Sequence, residues 1–381
     1  MAEVQLLSAR LRCGSSQQRA LTWHNLVSLG ESGLQGEQVA KSGLMPALVA
    51  MLEQRPARRT KVQQQAASLL FEAAGSDAGT EALMAIDCVP RLTTALQSGS
   101  YIKKAKVTAI LGLLSLCSKL KDVECNSMPH RHASLMSTVA VPEVVRVLSQ
   151  AGCKSDPACT AMILKALEAI LLDPASVHCF VKAGGVQVFD MLMAHMPGQL
   201  SSSLLSSSVD DDSKQLGLWA ASKDVWVPAL GVLSQVTKYS AIGSQIILEG
   251  PLLSLLLQCC SSTSSEVQLL ALTALLSLAA VPDNLPAFAK AGRVMHLAAA
   301  MHSRSPVVQE SALHCIKLLS PTLNGCHEML VISAMESLTA GVQDSNSVMR
   351  EWLESCPNDD GDSLESCSDG DDEGLMECDS A

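Results

Sequence analysis

The chain is poor in aromatic side chains: its 381 residues include four Trp, four Phe and two Tyr, 3% in all. A single-strand binder that stacks bases on rings, or a sandwich filled by aromatic layers, needs more. Charged residues make up 17%, below the usual share of about a quarter. The glycines at 184 and 292 stand in neither the Walker pattern nor the dinucleotide-binding one, and no Gly-x-Ser-x-Gly elbow occurs. Carboxylates crowd only at Asp210, Asp211 and Asp212 and near the C-terminus. Both runs read as solvated charge, whereas catalysis needs fixed geometry. An enzyme is therefore not expected, and no cofactor is implied.

Long apolar runs are missing too. The most apolar stretch, 267–281, is bounded by Glu266 and Asp283 and falls short of the roughly 20 residues that span a membrane. Arg10 and Arg12 follow the first apolar residues, the reverse of a secretory signal. The fourteen Cys form no dense short-range framework, so reduced thiols and a cytoplasmic or nuclear location are expected. The best metal candidate is Cys125 with His130 and His132, which Cys117 could complete. His-Arg-His in an inter-helix loop is more simply polar surface, and no metal is assigned.

The net charge of -11 is local. Residues 354–381 hold 11 Asp or Glu and no Lys or Arg, leaving 27 acids against 27 bases in the remainder. A neutral body has no electrostatic reason to bind nucleic acid, and an acidic tail repels it.

What the chain does have is Leu, Ala, Val, Ile and Met in a recurring phrase. It occurs at 39–52 (VAKSGLMPALVAML), 180–192 (FVKAGGVQVFDML), 247–257 (ILEGPLLSLLL) and 288–297 (FAKAGRVMHL). Copies without the glycine stand at 86–92 (IDCVPRL) and 139–145 (VAVPEVV). With Gly43, Cys88, Ala140, Gly184, Gly250 and Gly292 taken as anchors, the intervals are 45, 52, 44, 66 and 42 residues. The long interval contains a Ser-rich segment ending in Asp210, Asp211 and Asp212, read as an insertion loop over about 197–222. A second apolar run follows each anchor, for example 62–70 (VQQQAASLL), 106–114 (KVTAILGLL) and 267–275 (VQLLALTAL). Its apolar steps of three and four predict helices sandwiched between neighbours. The anchors let the chain turn, and Pro46, Pro90, Pro142 and Pro251 fit the first turn of the next helix.

These phrases, with the Glu-Val-Gln opening of the helix at Glu266, resemble the armadillo repeat. The resemblance implies an all-α, right-handed superhelix of about six three-helix repeats over 39–320. Helical caps are expected at 1–38 and 321–353, and a disordered acidic tail at 354–381. It also implies that the last helix of each repeat lines a concave groove able to hold an extended peptide or helix of another protein. Armadillo proteins resembling the nuclear-import adaptors carry Trp and, four positions on, Asn along that helix. The matching positions here are Ser68 and Glu72, Leu111 and Ser115, Gly231 and Gln235, Thr273 and Ser277, and His314 and Leu318. None is a Trp/Asn pair, so nuclear-signal recognition by that device is not expected. The expected function is a non-enzymatic scaffold or adaptor, with Ser68, Glu72, Ser115, Gln235, Thr273, Ser277 and His314 as groove candidates. The alternatives are an armadillo-type regulator of small GTPases and a helical-repeat enzyme or metal protein. In the tail, Ser366 and Ser368 each have an Asp three residues on, the pattern acid-directed kinases prefer, and are candidate phosphorylation sites.

Overall fold

The computed structural model describes residues 36–53, 60–121, 134–150, 156–194, 223–288 and 293–319, together with Arg10, Thr22 and Asn25. The chain divides into two units, 1–334 and 335–381, and every described residue lies in the first. The expected insertion loop, C-terminal cap and acidic tail, and all of the N-terminal cap except 36–38 and Arg10, Thr22 and Asn25, lie outside the described residues.

Among the described residues every regular element is helical. The helices follow one another as triplets. The first is α1 (Gly36–Lys41), α2 (Met45–Glu53) and α3 (Thr60–Ala74). The second is α4 (Asp77–Ala85), α5 (Val89–Leu96) and α6 (Tyr101–Lys121). A π-helical turn, Met136–Ala140, leads directly into α7 (Val141–Ser149), followed by α8 (Pro157–Ile170). Next come α9 (Pro174–Lys182), α10 (Gly185–Ala194) and α11 (Lys223–Tyr239), then α12 (Ala241–Glu249), α13 (Leu252–Cys259) and α14 (Ser265–Ala279). The last described triplet is a 3-10 turn, Pro282–Asn284, running into α15 (Leu285–Phe288), with α16 (Arg293–Met301) and α17 (Pro306–Leu319).

Local chemistry sets the breaks. Between triplets, Ser76, Asp173 and Ser240 cap the new helix by accepting from the backbone N–H of Gly79, Ser176 and Gly243. Between the first and second helices, Gly43 and Gly184 take φ of 71° and 79°, where a side chain is disfavoured. In the second triplet that conformation falls on Asp87 (φ 46°), one residue before the anchor expected at Cys88. Asp is among the few residues that tolerate it. At Ala140 there is no such turn, because the π turn carries the chain straight into α7.

The third helices pack in sequence, α3 on α6, α6 on α8, α8 on α11, α11 on α14 and α14 on α17. Their buried faces carry Ala, Leu and Ile, including Ala66, Leu70, Ile110, Leu164, Leu233, Leu275 and Ile316. Burying one Leu is worth roughly 1.5–3 kcal/mol, and no isolated triplet could hide both sides of its third helix. Close approach is built in at Gly112 of α6, where an added Cβ would lie 2.7 Å from the Ala166 Cα of α8. The second helices form a parallel row, α2 on α5, α5 on α7 and α7 on α10. Arg91 pairs with Glu53 through two hydrogen bonds of 2.6 and 2.9 Å across that row, and Gln97 donates to Glu143.

Polar groups stitch the triplets at the turn from second to third helix. Gln63, Gln268 and Gln309, each fourth in its helix, donate to the carbonyls of Met51, Cys260 and Ser303. This bond explains the Val-Gln opening seen three times in the sequence. Gln268 also accepts from Ser303 of the following triplet at 2.8 Å. Lys103 is fully buried. Its ammonium donates to the carbonyls of Leu52 and Ser98, at 2.8 and 3.1 Å, at the C-terminal ends of α2 and α5, where a cation is favoured. Burial, and then the neighbouring Lys104, lower its pKa to about 8.

Candidate groove on the third helices

Five of the six third helices leave one position, set between two buried pairs, that their neighbours do not bury. In α14 the exposed Thr273 stands between the buried pairs Ala271 and Leu272, and Ala274 and Leu275. The same alternation places Ser68 in α3 and His314 in α17. It identifies Leu113 in α6 and Lys165 in α8, each uncovered between two buried pairs. In α11 the position belongs to Gly231, which is buried. One turn on, the second row is Glu72, Cys117, Ala169, Gln235, Ser277 and Leu318.

This register corrects the sequence reading at one helix. Leu111 and Ser115 are buried, and the Ser115 hydroxyl faces the Ala169 carbonyl at 3.5 Å. The uncovered pair of α6 is Leu113 and Cys117, two residues further on. The reason is hydropathic: from Val107 to Leu116 every residue except Thr108 and Ser115 is apolar or Gly, so the run carries no polar mark to phase it. In the third triplet, for which no pair was assigned from sequence, the exposed position is Lys165, and Ala169 one turn on is buried. Glu72, Thr273 and His314 are exposed, and Ser68, Gln235 and Ser277 are half-buried. Ser366 and Ser368, like Cys125, His130 and His132, lie outside the described residues.

The hydroxyls on this face are already committed as donors. Ser68 donates to the carbonyl of Gln64, Thr273 to that of Leu269 and Ser277 to that of Thr273. Their oxygens are left to accept. Lys106 uses one of them, donating to Ser68 across the α3–α6 joint. A ligand N–H can be received here, but the donor-plus-acceptor grip of an Asn amide is missing along the stripe. Apolar side chains supply more of the surface. Leu116 within α6, Tyr239 at the end of α11, and Leu172 and Val281 just beyond α8 and α14, are 37–46% exposed.

At the centre of the face, Glu168 of α8 projects over Gly231 of α11, and a Cβ on Gly231 would collide with the carboxylate. Its pKa is raised by burial, which outweighs the opposing field of Lys165. Among the described residues no group of three or more His, Cys, Asp or Glu could hold a metal ion, and no single helix is long and apolar enough to cross a membrane. The buried thiols of Cys88, Cys259 and Cys315 are each pushed up to about 12 by desolvation, so they sit protonated in the core.

No protein-family model matches the chain, and no curated protein matches it in sequence. Solved structures do. A designed armadillo repeat protein aligns with TM-score 0.53 at 17% identity, over 72% of this chain and 99% of its own. Another, in complex with the peptide (KR)4, aligns with TM-score 0.52 at 16% identity, over 72% of this chain and 98% of that one. The chain has an armadillo-like helical-repeat fold. UNC-45 from Drosophila melanogaster aligns with TM-score 0.56 at 14% identity, over 83% of this chain but 36% of that much longer one. These identities establish the fold and nothing finer. The groove that the armadillo resemblance implies would be lined by these third helices, along which the positions from Ser68 to His314 run.

Proposed function

We propose that this chain is a non-enzymatic protein-binding scaffold that holds an extended segment of another protein along its third helices. The observation that carries the reading is the uncovered stripe itself. Six third helices are packed against their neighbours in the stack, yet five of them leave a position, from Ser68 to His314, that the described residues do not bury. A designed armadillo protein was solved in complex with the peptide (KR)4, so a stack of this kind can hold a peptide. Here the stripe has acceptor hydroxyls and apolar side chains in place of an amide ladder, so side-chain complementarity carries more of the binding than backbone pairing does.

Proximity labelling in cells tests the reading, with the wild type set against Leu113→Arg, Thr273→Arg and Ser115→Ala. The two Arg variants, placed on the stripe, are expected to lose the same set of labelled proteins. Ser115→Ala, buried away from it, is expected to keep them. A labelled set that all three variants preserve removes the groove from the proposal. The tail adds a second element: phosphorylation at Ser366 and Ser368 would deepen an already negative segment and tune its attraction to basic partners. Mass spectrometry of the protein from cells tests this, and an unmodified tail in every condition removes it.

A further inference from the structure

The middle of the groove holds an electrostatic imbalance. Glu168 is half-buried on the floor, in the space that the missing side chain of Gly231 leaves open. Among the described residues its carboxylate accepts no hydrogen bond and joins no ion pair. Two lysines lie on the same face. Lys106 donates to Ser68 on the far side of α6, and Lys165, one turn before Glu168, only partly offsets the cost of its burial. A partly desolvated carboxylate without a partner is unfavourable for the free protein. It becomes favourable when a bound molecule supplies the missing cation.

The surroundings narrow that cation to a side chain. Leu116 stands at the equivalent position on α6 and Leu172 in the turn just after α8, and both are exposed. Together they offer apolar surface for the methylene stem of a Lys or Arg whose charged head reaches the carboxylate. We infer that Glu168, seated over Gly231 on the face that also exposes Leu116 and Leu172, is the anchor point for one cationic side chain of the bound segment, with apolar residues on either side of it. The inference rests on the groove reading above and adds the chemistry of the occupant. Arg meets the carboxylate better than Lys does, because its fork donates two parallel hydrogen bonds.

The test selects phage-displayed random dodecapeptides on the full-length chain, then titrates the recovered peptides by fluorescence anisotropy. The variants are Glu168→Gln, Gly231→Ala and Leu113→Arg. Recovered sequences are expected to share one Arg or Lys between apolar residues. Glu168→Gln weakens them on the order of tenfold, and replacing that basic residue with Gln in the peptide abolishes the difference between wild type and variant. Gly231→Ala, which displaces the carboxylate, weakens binding in the same way. Glu168→Gln is not expected to lower the melting temperature, since it removes an unfavourable buried charge, so lost binding does not report unfolding. Peptides that Leu113→Arg disrupts but that bind Glu168→Gln as tightly as wild type refute the anchor and leave the groove standing. Peptides indifferent to all three variants, or no recovery at all, refute both.

Discussion

The joint between α6 and α8 gives the sharpest test of the packing. Gly112 lies inside a helix, where replacing Gly with Ala ordinarily stabilises by about 1 kcal/mol. Here the new Cβ would stand 2.7 Å from the Cα and 2.8 Å from the Cβ of Ala166. Carbon atoms prefer about 3.5–4.0 Å, so the two helices must part by roughly 1 Å where they meet. The obstruction includes backbone, which no rotamer change can move aside. Overpacking of this kind costs about 1–3 kcal/mol. The steric cost exceeds the propensity gain, and Gly112→Ala is expected to destabilise by roughly 1 kcal/mol, with Gly112→Val worse. Adding Ala166→Gly should rescue only part of the loss, because the clash with the α8 backbone remains. Urea unfolding followed by circular dichroism reads the effect as a lower midpoint at unchanged slope. A midpoint that rises, as an unobstructed helix would give, refutes the close joint.

Alkaline pH should loosen the fold. Buried thiols that ionise near 12 in the native state ionise near 8.5 once unfolded. Their stabilisation is therefore complete below about pH 8.5 and is lost as pH rises above it. The urea midpoint should fall from pH 8.5 to 11, and less steeply in Cys88→Ala; a midpoint flat across that range contradicts the burial. Asp87→Gly should change stability by less than about 1 kcal/mol, whereas Asp87→Val, a β-branched residue at positive φ, should cost about 1–2 kcal/mol. Thermal melts distinguish them, and equal melts would remove the strained turn. Gln268→Ala breaks bonds to Cys260 and Ser303 and should cost about 1–3 kcal/mol. Its effect should be less than additive with Ser303→Ala in a double-mutant cycle.

Repetition makes the architecture legible in the sequence. Spacing and hydropathy locate the second and third helices, because each must hide apolar surface on two sides. The turns are harder. Gly43 and Gly184 announce a left-handed residue, but Asp87 occupies the same conformation without the glycine signal, and the expected anchor falls one residue late. The groove register is legible where polar residues interrupt the apolar face, at Ser68, Thr273 and His314. It fails in α6, whose uniform Leu and Ala leave the phase open. Glu168 escapes notice for a different reason: its role depends on a glycine in another helix, 63 positions away in the chain, and local pattern does not reveal that pairing. Lys103 is equally hidden, since a lysine that caps two helices looks in sequence like any surface lysine.

That lysine has a practical consequence. An amine sealed between two helix ends is shielded from acylating reagents and from lysine-modifying enzymes alike until the first two triplets come apart. Its modification rate, followed residue by residue against solvent-facing amines such as Lys61 and Lys165, would act as a clock for the opening of that single seam.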